Sequence, residues 1–115
     1  MADFTINHST QKSNAVLKII HEGWIPKLPL QSFLSFVRVC DGAPFEEKLF
    51  FRGQSTLHSD HISQLEQSLA HQLMGRDEKG RPHVTPYGER LYPYAVQILA
   101  SGWEGEQAVA IGRPD

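Results

Sequence analysis

Ile62, Leu65, Leu69 and Leu73 fall within an arc of about 80° when each residue advances about 100° around a helix axis. This stripe is the clearest periodic signal in the chain, and it predicts a helix over 55–73 with Asp60, Gln64, Gln67 and Ser68 on the opposite, polar side. Upstream, Val16, Leu17, Ile19 and Ile20 mark one side of a short helix that Asn14 opens as N-cap and Gly23 stops. "WIPKLP" then reads as a connector, because each proline pushes its predecessor out of helical geometry. Pro29 suits the first turn of a second helix, along which Leu30, Phe33, Leu34 and Val37 repeat until Asp41-Gly42. "PFEEKLFFRG" reads as a brief helix with Phe45, Leu49 and Phe50 or Phe51 inward and Gly53 breaking it. Beyond the long stripe, Lys79-Gly80 between short flanks predicts a tight turn joining two short strands. Thr85 caps the last helix, Pro86 takes its first position, and Tyr87, Leu91, Tyr94 and Ile98 share a face until Gly102. Pro93 inside this helix is expected to kink it or leave a carbonyl unpaired, and a short strand is expected around Gln107–Ile111.

The elements divide the chain into a mobile polar arm (1–13), an N-terminal helix and connector (14–29), a body ending in the hairpin (30–85), a last helix (86–101) and a tail (102–115). Helix, glycine-containing turn, longer helix, two-stranded ribbon and further helix are the parts of a winged helix-turn-helix. The residues add a specific likeness. "ISQLEQSLAHQLMGRDEKGRPHVTPYGERLYPYAVQIL" resembles the DNA-binding segment of the LysR-type transcriptional regulators, and the molybdate-responsive ModE regulators share a similar N-terminal module. Ile62, Leu65, Glu66, Leu69, Leu73, Arg76, Thr85 and Gly88 match that pattern, with Ser59 at its serine, and the resemblance covers roughly residues 30–101. Ala70 stands for a glycine and Met74 for a phenylalanine, changes of volume that a core absorbs. Asp60 stands where arginine is frequent, and Glu47 and Lys48 replace a pair of small residues.

The resemblance implies a mainly α winged helix-turn-helix with a small β-hairpin wing and a C-terminal linker or dimerisation helix. It also implies a sequence-specific DNA-binding regulator that acts as a homodimer, here without its own ligand-sensing domain. Gln54, Ser55 and Thr56 at the start of the long helix are candidates to bond phosphates or base edges, with His58, Ser59 and Gln64 beside them. Arg52 in the turn and Arg76, Lys79 and Arg81 around the wing are candidates to hold flanking phosphates. Tyr87, Leu91, Tyr94, Ile98 and Leu99 could fold back on the body, yet in the resembling families the last helix pairs with its twin, which implies that they form a dimer contact. The added N-terminal helix is a candidate to widen that contact or hold a partner protein.

Charge weakens the nucleic-acid reading. The formal net charge is -2 over 115 residues, without the basic surplus that neutralises phosphate. Residues 31–88 set Arg38, Lys48, Arg52, Arg76, Lys79 and Arg81 against Asp41, Glu46, Glu47, Asp60, Glu66, Asp77 and Glu78, so any basic patch must arise by folding. The alternative class is therefore a protein-interaction module of the same fold that has lost DNA affinity and modulates a larger regulator or assembly. Enzymatic activity is not expected, because no phosphate cradle or nucleophile–base order is present. His58 and His61, three apart, could share a metal with His71 or His83 as third ligand, but no paired Cys or carboxylate completes the site, so no metal or cofactor is expected either. By the same angular count His58 leans toward the buried stripe. The lone Cys40 has no pairing partner, and no motif near it would lower its pKa. No leader and no apolar run long enough to span a membrane is seen, so the expected setting is the reducing cytoplasm.

Overall fold

The computed structural model describes residues 11–26, 29–51 and 53–110. Four helices and two antiparallel hairpins follow one another as α1 (Gln11–His21), α2 (Gln31–Cys40), β1 (Lys48–Phe51), β2 (Gln54–Leu57), α3 (His58–Leu69), β3 (Met74–Arg76), β4 (Pro82–Val84) and α4 (Pro86–Ala110). Each hairpin is a separate two-stranded sheet. α2 is the centre of the fold, since α1, α3 and α4 all pack on it. That position explains why Leu34, Ser35, Phe36 and Val37 are buried in succession, all round the helix. Ile20 of α1, Leu49 of β1, Ile62 and Leu65 of α3, and Leu73 complete the core with α4. Among the described residues no helix is long and apolar enough to cross a membrane.

Polar contacts tie the helices where packing alone would leave their ends loose. Arg38 donates from Nη2 and Nε to the Ile20 carbonyl at 2.9 and 3.3 Å, filling an acceptor in the last turn of α1. The Asp41 carboxylate accepts the Tyr92 hydroxyl at 2.7 Å and pairs with His21 at 3.0 Å, so one side chain joins α1, the end of α2 and α4. Burial and the neighbouring Asp41 push the Tyr92 hydroxyl pKa well above its ordinary value.

Several sequence expectations are corrected. Helix α1 begins at Gln11, so Asn14 lies inside it rather than capping it and 11–13 are not part of a polar arm; α2 begins at Gln31 with Leu30 as its N-cap, so Pro29 precedes its first turn. The segment "PFEEKLFFRG" is not a brief helix, because its second half is strand β1, paired with β2 in the register Lys48–Leu57 to Phe51–Gln54. Leu49 is buried while Lys48 and Phe50 are exposed, an alternation with period two, and Gly53 turns the chain at φ +79°. The long helix starts at His58, so Ser55–Leu57 are strand; the His58 and Ser59 amides donate to the carbonyls of Glu47 and Phe45 at 2.9 and 3.0 Å. It ends at Leu69, where Ala70 enters the left-handed region at φ 59° and Leu73 lies beyond the helix. Ala70 therefore carries backbone strain, since its Cβ is held in the left-handed region. Finally, α4 runs through Gly102 to Ala110, so 107–110 are helical rather than strand. The segment after α1 supports this extension, with Trp24 Nε1 donating to Glu106 Oε1 at 3.2 Å.

Candidate nucleic-acid interface

Glu66 and Thr85 lock α3, the β3–β4 hairpin and α4 into one unit. Glu66 Oε2 accepts the amides of Leu73 and Met74 at 2.8 and 3.0 Å, satisfying the backbone where the chain leaves α3 and enters the hairpin. Thr85 donates its hydroxyl to the Gln72 carbonyl at 2.7 Å and accepts the Gly88 amide at 3.0 Å as the cap of α4. Its own amide donates to the Leu73 carbonyl at 2.9 Å. Gly88 is required at this junction because a Cβ there would stand 2.6 Å from the Leu73 oxygen and 2.8 Å from Val84 Cγ1.

The face of α3 turned away from the core exposes Asp60, Ser63, Gln64, Gln67 and Ser68. Apart from Asp60 it is a row of neutral amides and hydroxyls, groups suited to hydrogen-bonding base edges. Ser59 is half-buried and donates to Glu46 Oε1 at 3.1 Å. Gln54 and Ser55 are exposed, and Thr56 is half-buried, but all three lie on β2 rather than at a helix start. His58 is a correction: its side chain is completely enclosed and bonded to Ser35, so it cannot reach a base or phosphate. Arg52 lies outside the described residues.

The cations of the β3–β4 hairpin are mostly committed to the hairpin itself. Arg76 donates to the Gly80 carbonyl at 2.7 Å and stands 5.3 Å above the Phe45 ring. The Asp77 carboxylate accepts the Lys79 amide, the Arg81 amide and Arg81 Nε at 2.8, 2.9 and 3.0 Å. These bonds, the Arg81 amide foremost, hold the Asp77 carboxyl below its ordinary pKa. Lys79 is exposed and its ammonium makes no hydrogen bond or ion pair with the described residues. Lys48, on the exposed face of the first hairpin, is a further cation that the sequence reading counted in the charge balance but did not assign to phosphate.

The proposed dimer residues divide. Leu99 is fully buried in the protomer's own core, because the inward face of α4 is Gly88, Tyr92, Ala95, Val96, Leu99 and Gly102. It is therefore unavailable to a second copy. Tyr94 and Ile98 are exposed at 63% and 36%, whereas Leu91 is half-buried against the core. Tyr87 is also half-buried, with its ring stacked on His71 at 4.1 Å and the Arg90 guanidinium 5.9 Å from its centroid.

Sequence reasoning missed Ser35, whose hydroxyl lies 2.8 Å from His58 Nδ1 and 2.7 Å from His61 Nδ1. Its signal was present: a serine inside the run Phe33-Leu34-Ser35-Phe36-Val37 is buried with its helix and must find a polar partner. Glu47 Oε1 stands 3.5 Å from the other nitrogen of His58. Serine, histidine and carboxylate thus succeed one another, yet the hydroxyl is enclosed and shared with a second imidazole, so substrate has no path to it. Among the described residues no three His, Cys, Asp or Glu side chains converge as a metal site. Burial, reinforced by Asp41 and Glu89, raises the Cys40 thiol far above its ordinary pKa and suppresses the nucleophilic thiolate. Set against known proteins, the chain matches no family model, no curated protein and no solved structure.

Proposed function

We propose that this chain is a DNA-binding transcriptional regulator of winged-helix type, with α3 as reading helix and β3–β4 as wing. The observation that carries the proposal is the outward face of α3, an open row of amides and hydroxyls flanked in the chain by two hairpins that bear exposed lysines, Lys48 before it and Lys79 after it. Such a helix enters a major groove with its polar row against base edges while the hairpin cations meet phosphate. With Arg76 and Arg81 bonded within the wing, few phosphates are neutralised per protomer and the salt dependence is shallow. Tyr94 and Ile98 offer a second copy an apolar strip on α4, and a two-fold pair would place two reading helices on a palindromic site. Regulation acts through occupancy of that site.

Asp60 favours a second reading. A carboxylate in the middle of the reading face is repelled by phosphate rows, and a winged-helix module that pairs with a larger regulator would not meet that repulsion. A titration with random duplex DNA at low salt separates the two. Binding at micromolar protein, strengthened by Asp60→Arg and weakened by Lys79→Glu, supports the DNA reading. Absence of binding in the wild type together with no gain from Asp60→Arg overturns it in favour of the protein partner.

A further inference from the structure

Ser35 Oγ carries one hydrogen but faces two imidazole Nδ1 atoms, His58 at 2.8 Å and His61 at 2.7 Å. It can donate to one ring only, so it must accept an N–H from the other. Glu47 decides which. Its carboxylate lies 3.5 Å from His58 Nε2, and a bare nitrogen lone pair held against that oxygen would be repelled. His58 therefore carries its hydrogen on Nε2, turned toward Glu47, and accepts the Ser35 hydroxyl at Nδ1. His61 must then be the Nδ1–H tautomer, donating to Ser35. The far nitrogens differ in surroundings: among the described residues His58 Nε2 is the one buried side-chain nitrogen or oxygen without a hydrogen-bond partner. His61 is half-buried rather than enclosed, and its Nε2 makes no hydrogen bond with the described residues, so it is the ring open to a proton from water.

We propose that His61, Ser35 and His58 form a proton relay that carries a proton from water to the buried imidazole of His58 and so makes the seat of α3 on α2 sensitive to pH. The incoming proton binds His61 Nε2, the proton on His61 Nδ1 passes to Ser35 Oγ, and the original Ser35 proton passes to His58 Nδ1. Ser35 ends with one hydrogen, as it began. His61 ends neutral with its hydrogen on Nε2, and the positive charge rests on His58 opposite the Glu47 carboxylate.

The charged groups around the relay come from every element packed on it. α2 contributes Arg38, which opposes a charge on His58; the segment before β1 contributes Glu47, which favours it; α3 contributes Asp60, which favours a charge on His61. β2 has no ionisable side chain, and Lys48 on β1 is exposed. Desolvation outweighs the favourable partners at both rings and lowers both pKa values, so the loaded state forms on the acid side of neutrality. The charge then sits where the amides of His58 and Ser59 are anchored on Glu47 and Phe45, which is the joint that aims the first turn of α3.

The test is a pH titration of the free protein by nitrogen-15 imidazole NMR, so its outcome is independent of DNA binding. The wild type is expected to show His61 as the Nδ1–H tautomer and His58 as the Nε2–H tautomer at pH 8. Acidification should charge His58 while His61 turns to Nε2–H. Glu47→Gln, at a half-exposed position, should lower the His58 midpoint by about one unit, tenfold in proton affinity, and weaken the preference of His58 for the Nε2–H tautomer at pH 8. Ser35→Ala should abolish the Nδ1–H form of His61. An Nε2–H His61 at pH 8, or charging of His61 while His58 stays neutral, overturns the proposal, as does a Glu47→Gln midpoint equal to that of the wild type.

Discussion

Replacing Gly88 by alanine tests the junction on which the α3–hairpin–α4 unit depends. Two effects oppose each other. Alanine is the better helix former by about 1 kcal/mol, but the new Cβ stands 2.6 Å from the Leu73 oxygen, where ordinary contact begins at 3.4 Å. The obstacle is a backbone carbonyl that already accepts the Thr85 amide at 2.9 Å, so it cannot swing aside without loosening that bond. Overpacking of this kind costs roughly 1–3 kcal/mol, and a lost backbone bond about 1 kcal/mol. Against the gain in propensity, the net destabilisation is about 2 kcal/mol. For a domain near 100 residues that lowers Tm by about 8–16 °C. Gly105→Ala in the same helix is the control, since nothing lies within 4 Å of its added Cβ, and it should raise stability by about 0.5–1 kcal/mol. Thermal melts followed by circular dichroism compare the two. A Gly88→Ala protein as stable as the wild type, or shifted upward like the control, refutes the reasoning.

Other substitutions probe single contacts. Ala70→Gly removes a Cβ held at φ 59° and should raise stability by up to about 1 kcal/mol in chemical denaturation; a loss of stability there would contradict the strain argument. Glu66→Ala strands the Leu73 and Met74 amides and should cost about 2 kcal/mol by the same assay, whereas an unchanged midpoint would mean that water replaces the carboxylate. Cys40 should react with a thiol reagent at pH 8 more than about tenfold slower in the native protein than in denaturant, and equal rates would disprove its protection. His58 and His61 titrate below the ordinary imidazole value of 6.5, so the folded state binds protons more weakly than the unfolded chain. Their contribution is complete above pH 6.5 and is lost as pH falls through the lowered values. Denaturation midpoints that stay level or rise from pH 7 to 5 in the Asp41→Asn background, which removes the His21 ion pair, would contradict this.

The separation of what sequence and tertiary structure decide follows from how local each cause is. Thr85 beside Pro86 marked the start of α4, and Lys79-Gly80 marked the second hairpin, because caps and turns are made by residues a few positions apart. The stripe of Ile62 and Leu65 announced a buried helix, and its angular count placed His58 inward, since helix geometry alone sets which residues share a face. The run from Phe45 to Phe51 carried no such decision. A few apolar residues fit two periods equally, and only pairing with Gln54–Leu57 selects the strand. Packing likewise chose Tyr92, Ala95 and Leu99 as the inner face of α4 over Tyr94 and Ile98, because a helix apolar on adjoining faces is turned by its neighbours α1 and α2. Ser35 depended on the fold more than any other site residue: its burial could be read from its helix, but the imidazoles it joins lie 23 and 26 residues away.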